Sequence, residues 1–333
     1  MSLVLSACGG PVAPSVGRTP GPGQPVVDDS SGNGQVVPPS LASAPSPDST
    51  SQPPPPPAAD HGVWPLPRWC GAGASGQPTH DDVRLPILYY HRAEDPPADY
   101  STWSAARRHA FITYDTLPGA LALQLDWLTT HGYTTILPSD LAAHWLDGCR
   151  LPGRPVMLTF DDGSLDWVTT VLPLLRAHGM VAEFYLTLEA VARHNISWAD
   201  VRTLSANGMG IGAHDVHHVQ LAMLGRDRPP ADPRTMWLEV HGARQTIGAR
   251  MRDEPDSMAY VGGGFDARLI ALVERSGYAT ARSILHGVVQ RWTARYALRV
   301  VRIGPYDDVT NRTVWALDPA VPLFAAKVTG RAR

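Results

Sequence analysis

The chain contains 333 residues, and 44% of them are hydrophobic, which is enough to build one large folded core or two small ones. Its 28 basic and 31 acidic residues give a net charge of −3, which is too balanced for a nucleic-acid-binding protein. No run of about eighteen apolar residues occurs, so the sequence predicts no internal transmembrane helix. We expect a globular protein without a nucleic-acid partner and assume a monomer.

The first 60 residues have an unusual composition. They contain 14 of the 32 prolines, and the first aromatic residue of the chain is Trp64. Such a segment buries too little apolar surface to offset the entropy that is lost on ordering. We therefore predict a disordered linker over residues 9–60 and a folded domain that begins after about Asp60.

The extreme N-terminus, residues 1–8, ends in Leu5-Ser6-Ala7-Cys8, which resembles the lipobox of bacterial lipoproteins. The cysteine of a lipobox becomes the lipidated first residue, so Cys8 is a candidate for lipidation. The apolar stretch before it is too short for a signal peptide. Either a truncated lipoprotein signal starts upstream of Met1, or the resemblance is accidental. The first alternative predicts a cell-surface or secreted protein that touches the membrane only through its lipid.

The two remaining cysteines, Cys70 and Cys149, form an even pair without metal-binding spacing. In an oxidising compartment such a pair predicts one disulfide bond. Two unrelated buried thiols are the alternative.

Beyond residue 83, short apolar runs alternate with longer amphipathic ones. The runs that predict strands are 85–90, 133–137, 155–160, 181–186, 209–213, 258–261 and 298–303. Helices are predicted where Leu121, Leu125 and Leu128 share a face, from Asp166 to His178, from Asp232-Pro233 to about Arg250, and from Asp266 to Ser276. This alternation predicts an α/β fold with a parallel sheet, either open or closed into a barrel.

Two adjacent aspartates follow one of the buried strands, in Thr159-Phe160-Asp161-Asp162-Gly163. Neighbouring side chains at a strand end point in different directions, so one carboxylate could bind a cation while the other accepts a proton. Turn formation is the alternative, because Asp and Gly commonly end strands.

A histidine cluster, His214-Asp215-Val216-His217-His218, follows the run 209–213. The spacing of four would place His214 and His218 on one face of a helical turn, as a single metal ion requires. Two histidines and an aspartate leave coordination positions open, which is typical of a catalytic site.

These motifs resemble the first two motifs of the polysaccharide deacetylase family, also called the NodB homology domain or carbohydrate esterase family 4. Further similar segments occur in the family's order over residues 83–305: 87–91, 124–126, 131–133, 139–141, 259–260, 277–278 and 298–303. The start of the domain is most similar to the bacterial poly-N-acetylglucosamine deacetylase branch. The resemblance implies a distorted (β/α) barrel. We place the catalytic domain over residues 61–305 and a C-terminal extension over 306–333.

The resemblance also implies roles for individual residues. Asp162, His214 and His218 would bind a divalent metal, expected to be zinc, and Asp161 would be the general base. A backbone N–H of the third motif would hold the oxyanion, and the substrate would be an acetylated polysaccharide.

The sequence departs from the family pattern at three places. The third motif reads Val261-Gly262 where proline and an aromatic residue are expected, and Gly262 is then the candidate oxyanion donor. No arginine stands in that motif to orient Asp161, and Arg302 is a candidate substitute. His286 is a candidate general acid, although it is expected in a loop.

Three further expectations concern the surroundings of the site. Asp215 stands where the family prefers Ser or Thr and could orient a ligating imidazole or join the metal. His91 and Tyr260 are expected to line the substrate cleft. The sequence thus predicts a metal-dependent hydrolase that removes acetyl groups, expected to be N-acetyl groups, from a cell-surface or extracellular polysaccharide. The alternatives are an inactive glycan-binding relative and a metal-dependent amidase acting on a smaller substrate.

Overall fold

A closed ring of parallel strands organises the residues described by the computed structural model, which are 75–222, 232–303 and 323–331. All of them belong to one compact unit of the chain. The strands in these ranges are β1 (Val83–Arg84), β2 (Ile87–Tyr90), β3 (Arg92–Ala93), β4 (Asp115–Thr116), β5 (Thr134–Thr135), β6 (Pro155–Asp162), β7 (Glu183–Leu186), β8 (Gly210–Ala213), β9 (Ser257–Ala259), β10 (Thr280–His286), β11 (Val289–Gln290) and β12 (Leu298–Arg302).

Helices follow most of the strands. They are α1 (Ala105–Tyr114), α2 (Pro118–Thr130), α3 (Pro138–Asp147), α4 (Leu172–Ala177), α5 (Leu188–Ala192), α6 (Trp198–Ala206), α7 (Pro233–Trp237), α8 (Ala243–Met251), α9 (Ala267–Arg275) and α10 (Leu323–Val328). A π-helical turn, Trp167–Val171, leads into α4, and another, Leu238–Gly242, joins α7 to α8.

The ring contains seven strands in the order β2-β12-β10-β9-β8-β7-β6, and β6 pairs with β2 to close it. Every pairing in the ring is parallel. The strand β6 is long enough to pair with β5 through its first residues and with β2 through its middle ones. The predicted (β/α) barrel is therefore confirmed, and the carboxyl ends of all seven strands meet at one end of it.

The helices cover the barrel with the apolar faces that their sequence spacing predicts. Leu121, Leu125 and Leu128 of α2 are fully buried against the outside of the strands. The N-cap of α7 is Asp232, whose carboxylate accepts hydrogen bonds from the N–H groups of Arg234 and Thr235. The predicted helices 166–178, 232–250 and 266–276 are all present, within a few residues of the expected ends.

The fold has two features that the sequence analysis did not predict. The strand β10 was not among the predicted runs, although it lies between β9 and β12 in the ring. Helix α10 lies beyond residue 305, the predicted end of the catalytic domain, and its Phe324 is fully buried and packs edge-on against Trp127.

Several expectations fall outside the described residues. The linker 9–60, the signal-like residues 1–8 with Cys8, and Cys70 are among them. Cys149 is buried and takes part in a disulfide bond, and Cys70 as its partner stays a prediction. Among the helices of the described ranges, none has the length and apolar character needed to cross a membrane.

Candidate active site

Four predicted site residues meet at the carboxyl ends of adjacent strands. Asp161 and Asp162 end β6, and His214 follows β8 directly, while β7 pairs with both strands and sets their separation. His218 reaches the same position from the loop after β8. The structure thus brings together the double aspartate and the histidine pair, which are more than 50 residues apart in sequence.

Asp162, His214 and His218 form a set of ligand atoms that lie within 4.8 Å of one another. The Oδ1 atom of Asp162 is 3.1 Å from Nε2 of His218 and 3.5 Å from Nε2 of His214. The side chains of Asp162 and His218 are each 42% exposed, whereas His214 is buried. Two imidazoles and a carboxylate that are open to solvent on one side fit a divalent metal such as zinc.

The loop that carries the two histidines is not the expected helical turn. Residues 214–222 are irregular, and Asp215 and His218 both have positive φ, at 64° and 53°. Non-glycine residues adopt this conformation rarely, so surrounding contacts must maintain it. The two rings nevertheless lie 5.2 Å apart between centroids, because the loop turns back on itself.

The charges in this set stabilise one another. Burial raises the pKa of Asp162, but hydrogen bonds from His214 and His218 outweigh it and hold that pKa well below its usual value. Burial lowers the pKa of His214, but the hydrogen bond to Asp162 and the negative charges of Asp161 and Asp162 together outweigh this effect and raise the pKa to about 9. The Nδ1 atom of His214 donates to the carbonyl oxygen of Ala259 at 2.8 Å, so Nε2 is the nitrogen that faces Asp162.

Asp161 is paired with an arginine that the sequence analysis missed. The Nη2 group of Arg282 donates to both carboxylate oxygens of Asp161, and both side chains are buried. The guanidinium lies between two aromatic rings, with its carbon 4.8 Å from the centroid of Tyr89 and 5.0 Å from that of Tyr185. Arg282 therefore holds Asp161 in a fixed orientation.

Arg302 does not occupy the position expected for it. Its guanidinium donates to the carbonyl oxygen of Thr113 and lies over the ring of Tyr114. It is the last residue of β12 and has an exposed side chain, whereas Arg282 is the third residue of β10 and is 1% exposed. The orienting arginine is therefore Arg282.

Space for Tyr185 and its neighbour Glu183 depends on Gly212 in the adjacent strand. A Cβ atom at Gly212 would lie 2.4 Å from Cδ1 of Tyr185 and 2.8 Å from Oε1 of Glu183. Separations below 3.0 Å are not found for real Cβ atoms, so only glycine fits between these two side chains.

His91 borders the site from the end of β2. Its ring is T-shaped to Tyr114, and its carbonyl oxygen accepts a hydrogen bond from Nε1 of Trp167. Burial lowers the pKa of His91 to about 4, and the negative charges of Asp161 and Asp162 oppose this shift only in part. The imidazole is therefore neutral near pH 7, and it lies close enough to the two aspartates for their charges to affect its pKa.

Tyr260 does not line a cleft as expected. It is 3% exposed, its hydroxyl donates to the carbonyl oxygen of Tyr296, and its ring stacks on Phe265. A residue enclosed in this way belongs to the core between the barrel and the helices that follow β8 and β9.

Gly262 and His286 are located as follows. Gly262 lies in the short 3₁₀ turn Val261–Gly263 after β9, with φ of 62°, which glycine adopts without strain. His286 is the last residue of β10 rather than part of a loop, and its carbonyl oxygen accepts a hydrogen bond from Arg299. Both stand at the carboxyl end of the barrel, and their roles stay predictions.

Asp215 does not orient His214. The orienting acceptor is the carbonyl oxygen of Ala259. The carboxyl of Asp215 is 1% exposed, and its Oδ1 has no hydrogen-bond partner among the described residues. Burial raises the pKa of Asp215 to about 8, with His214 acting in the opposite direction. Asp215 also lies outside the set of ligand atoms formed by its neighbours.

Acidic residues also gather at the opposite end of the barrel. A cavity of about 680 Å³ there is lined by Glu183, Asp256 and other residues at the amino ends of β7, β8 and β9. Burial and the charge of Asp256 raise the pKa of Glu183 well above its usual value. Burial and the charge of Asp253 raise the pKa of Asp256 to about 7.

Comparison with known proteins identifies the domain that carries the site. Residues 149–281 match the family model described as polysaccharide deacetylase. This part of the chain is a polysaccharide deacetylase domain. It contains Asp161, Asp162, His214 and His218 and ends one residue before Arg282. The family places the chain among the hydrolases of carbon–nitrogen bonds other than peptide bonds.

Individual relatives agree with this family. The chain is 22% identical over 230 residues to the Bacillus subtilis (strain 168) protein YxkH, a relative named for the same family; the match covers 68% of this chain and 74% of that one. A segment of 90 residues is 32% identical to the poly-beta-1,6-N-acetyl-D-glucosamine N-deacetylase of Escherichia coli (strain K12), covering 27% of this chain and 12% of that one.

A solved structure supports the fold. The Streptococcus pyogenes deacetylase PplD, in complex with acetate, superposes with a TM-score of 0.60 at 18% identity. The superposition covers 68% of this chain and 96% of the streptococcal one. The shared fold therefore accounts for nearly all of the streptococcal structure.

Proposed function

We propose that the chain is a metal-dependent deacetylase that removes N-acetyl groups from a polysaccharide outside the cytoplasm. The observation that carries the proposal is the position of the Asp162–His214–His218 set beside the buried Asp161–Arg282 pair. Metal-assisted hydrolysis of an amide needs ligands for the metal and a separate carboxylate that accepts a proton, and the site contains both.

The three ligand residues would hold a divalent metal, with zinc the expected ion because nitrogen-rich sets of four or fewer ligands suit it. When bound, such an ion supplies a Lewis acid that polarises an acyl oxygen and makes water more acidic. Oxygen of Asp162 and Nε2 of each histidine face the same point, which leaves room for substrate on the exposed side of His218.

Asp161 would accept the proton of the attacking water at its carboxylate. Arg282 fixes the direction of that carboxylate through its hydrogen bonds and is itself held between Tyr89 and Tyr185. The N–H of Gly262 is the proposed donor to the oxygen that becomes negative, and His286 the proposed donor of a proton to the departing amine. The reaction consumes one water and yields acetate and the free amine of the sugar.

The substrate class rests on the relative from Escherichia coli, whose name specifies poly-beta-1,6-N-acetyl-D-glucosamine. The location rests on the sequence, since the lipobox-like Cys8, the proline-rich residues 9–60 and a disulfide-bonded Cys149 are typical of an exported, tethered domain. We include residues 61–305 in the proposed catalytic domain, together with α10.

The test is acetate release from partially acetylated glucosamine oligomers by the purified chain, before and after chelation and again after zinc is returned. Release that chelation abolishes and zinc restores is the expected result. Release that persists after complete removal of metal would contradict the metal centre.

A second candidate is an inactive relative that binds glycan. The observation in its favour is the third motif, where Val261-Gly262 replaces the stiffer segment of the family and Tyr260 is enclosed in the core. Zinc-loaded protein that releases no acetate from glucosamine, muramyl and xylan substrates, yet is retained by one of these polymers, would favour this candidate.

A further inference from the structure

A buried glutamate from a distant helix holds the loop between the two histidines. Glu239 is 2% exposed, and its Oε2 accepts hydrogen bonds from the N–H groups of Val216 and His217, both at 2.8 Å. Its Oε1 lies 2.7 Å from Nδ1 of His217. The carboxylate of Glu239 therefore accepts hydrogen bonds from two backbone N–H groups and contacts the imidazole of His217, all within the five-residue segment 214–218.

The opposite edge of the same loop is held by another element. The N–H of Leu188 donates to the carbonyl oxygen of Asp215 at 3.3 Å, and the N–H of Glu189 donates to that of Val216 at 2.8 Å. The loop backbone is thus bonded on both sides, which explains how the positive φ angles at Asp215 and His218 are maintained.

The helix around Glu239 presents the carboxylate by an irregular turn. Glu239 lies in the π-helical turn Leu238–Gly242, between the buried residues Met236 and Val240, on a face that is otherwise apolar. Such turns are rare and occur often at functional sites, where they redirect a side chain. A buried carboxylate is costly unless hydrogen bonds compensate it, and here the compensating donors belong to the histidine loop.

We propose that Glu239 is a positioning residue that sets the spacing of His214 and His218 and thereby the affinity of the site for its metal. The proposal rests on the metal centre of the proposed function. Glu239 touches neither metal nor substrate in this role, because the three hydrogen bonds that its carboxylate makes with the described residues are to Val216 and His217. It acts by keeping the loop in the one conformation in which both Nε2 atoms face Asp162.

The experiment measures the dissociation constant for Zn²⁺ by competition with a chromophoric chelator, using the full chain. Glu239→Leu keeps most of the volume and removes every acceptor, so affinity should fall about 10- to 100-fold, as is typical when a group that orients a ligand is lost. Glu239→Gln keeps a neutral acceptor for the loop, so its zinc affinity should lie between those of Glu239→Leu and the parent protein.

Ser197→Ala is the matched control for loss of stability without contact with the loop. It removes the side-chain cap of α6, which should lower the melting temperature while leaving the zinc affinity unchanged. A residue that merely stabilised the fold would behave in the same way as Ser197.

The outcomes separate this proposal from the proposed function. If the parent protein binds zinc and the folded Glu239→Leu variant binds it with the same affinity, the positioning role alone is overturned. If Glu239→Leu does not fold, parent-like affinity in Glu239→Gln overturns it instead. Parent protein that binds no zinc overturns both the metal centre and the positioning role.

Discussion

Asp162 at one end of the barrel and Glu183 and Asp256 at the other are carboxylates in opposite electrostatic surroundings. At the carboxyl end, Asp162 faces two imidazoles that hold its pKa well below the usual value. At the amino end, Glu183 and Asp256 face other carboxylates, and their pKa values are raised. Burial acts in the same direction on all three groups, so the partners decide the difference.

This contrast shows why a count of acidic residues does not locate a metal site. The cavity at the amino end is lined by five acidic residues, Asp140, Glu183, Asp253, Glu254 and Asp256, but burial and mutual repulsion favour protonation of Glu183 and Asp256. At the carboxyl end, His214 and His218 keep Asp162 ionised and supply two further ligands.

The largest expected effect is loss of the metal itself. His214→Ala removes the buried ligand of the set and should leave the purified protein without bound zinc by elemental analysis. His178→Ala is the matched control, because His178 pairs with the exposed Asp126 on the surface. Zinc content that is unchanged in His214→Ala would contradict the assignment.

The second effect separates the base from the ligands. Asp161→Asn should keep one equivalent of zinc and lose about 100- to 10,000-fold in turnover, because it removes a proton acceptor and not a ligand. Acetate release and metal content are measured on the same preparation. Turnover equal to that of the parent protein would show that another group accepts the proton.

The third effect tests the buried ion pair at the carboxyl end. Arg282→Met leaves Asp161 buried without its cation and should lower the free energy of unfolding by about 3–5 kcal/mol in urea denaturation. Arg291→Met breaks the exposed pair with Asp82 and should cost less than about 1 kcal/mol. Equal costs for the two variants would mean that Asp161 does not depend on Arg282.

The smallest effect concerns the amino end. Burial raises the pKa of Asp256 from its ordinary value of 3.8 to about 7, so between these pH values Asp256 binds more protons in the folded state than in the unfolded state. The contribution of Asp256 to the free energy of unfolding should therefore fall as pH rises from 4 to 7, by about 1–3 kcal/mol. Asp256→Asn should flatten this dependence, and an unaltered slope in the variant would contradict the raised pKa.

The sequence pattern was sufficient for a parallel α/β fold and for the residues that lie next to a strong apolar run, and the family resemblance predicted that the sheet closes into a barrel. Asp161 and Asp162 follow the continuous run of β6, and His214 follows β8, so strand ends located both motifs. The predicted hydrolase class and family followed from these motifs, and the comparisons confirm the family.

The sequence analysis missed Arg282 and Glu239, because their roles depend on contacts between segments that are distant in sequence. Arg282 lies in β10, whose sequence Thr-Ala-Arg-Ser interrupts any apolar run, so the strand and its arginine were missed together. The signal that could have found it is the turn at Gly277-Tyr278, after which a barrel requires another strand. Glu239 is 22 residues from His217 and belongs to a helix whose spacing predicts only burial.

Gly212 contacts one residue that packs toward each end of the barrel. The missing Cβ atom there leaves room for Tyr185, which packs against Arg282, and for Glu183, which lines the cavity at the amino end. A larger residue at 212 would require both neighbours to become smaller. In related chains, positions 183, 185 and 212 are therefore expected to change together or not at all. A substitution of Gly212 would thus be accompanied by changes at both ends of the barrel.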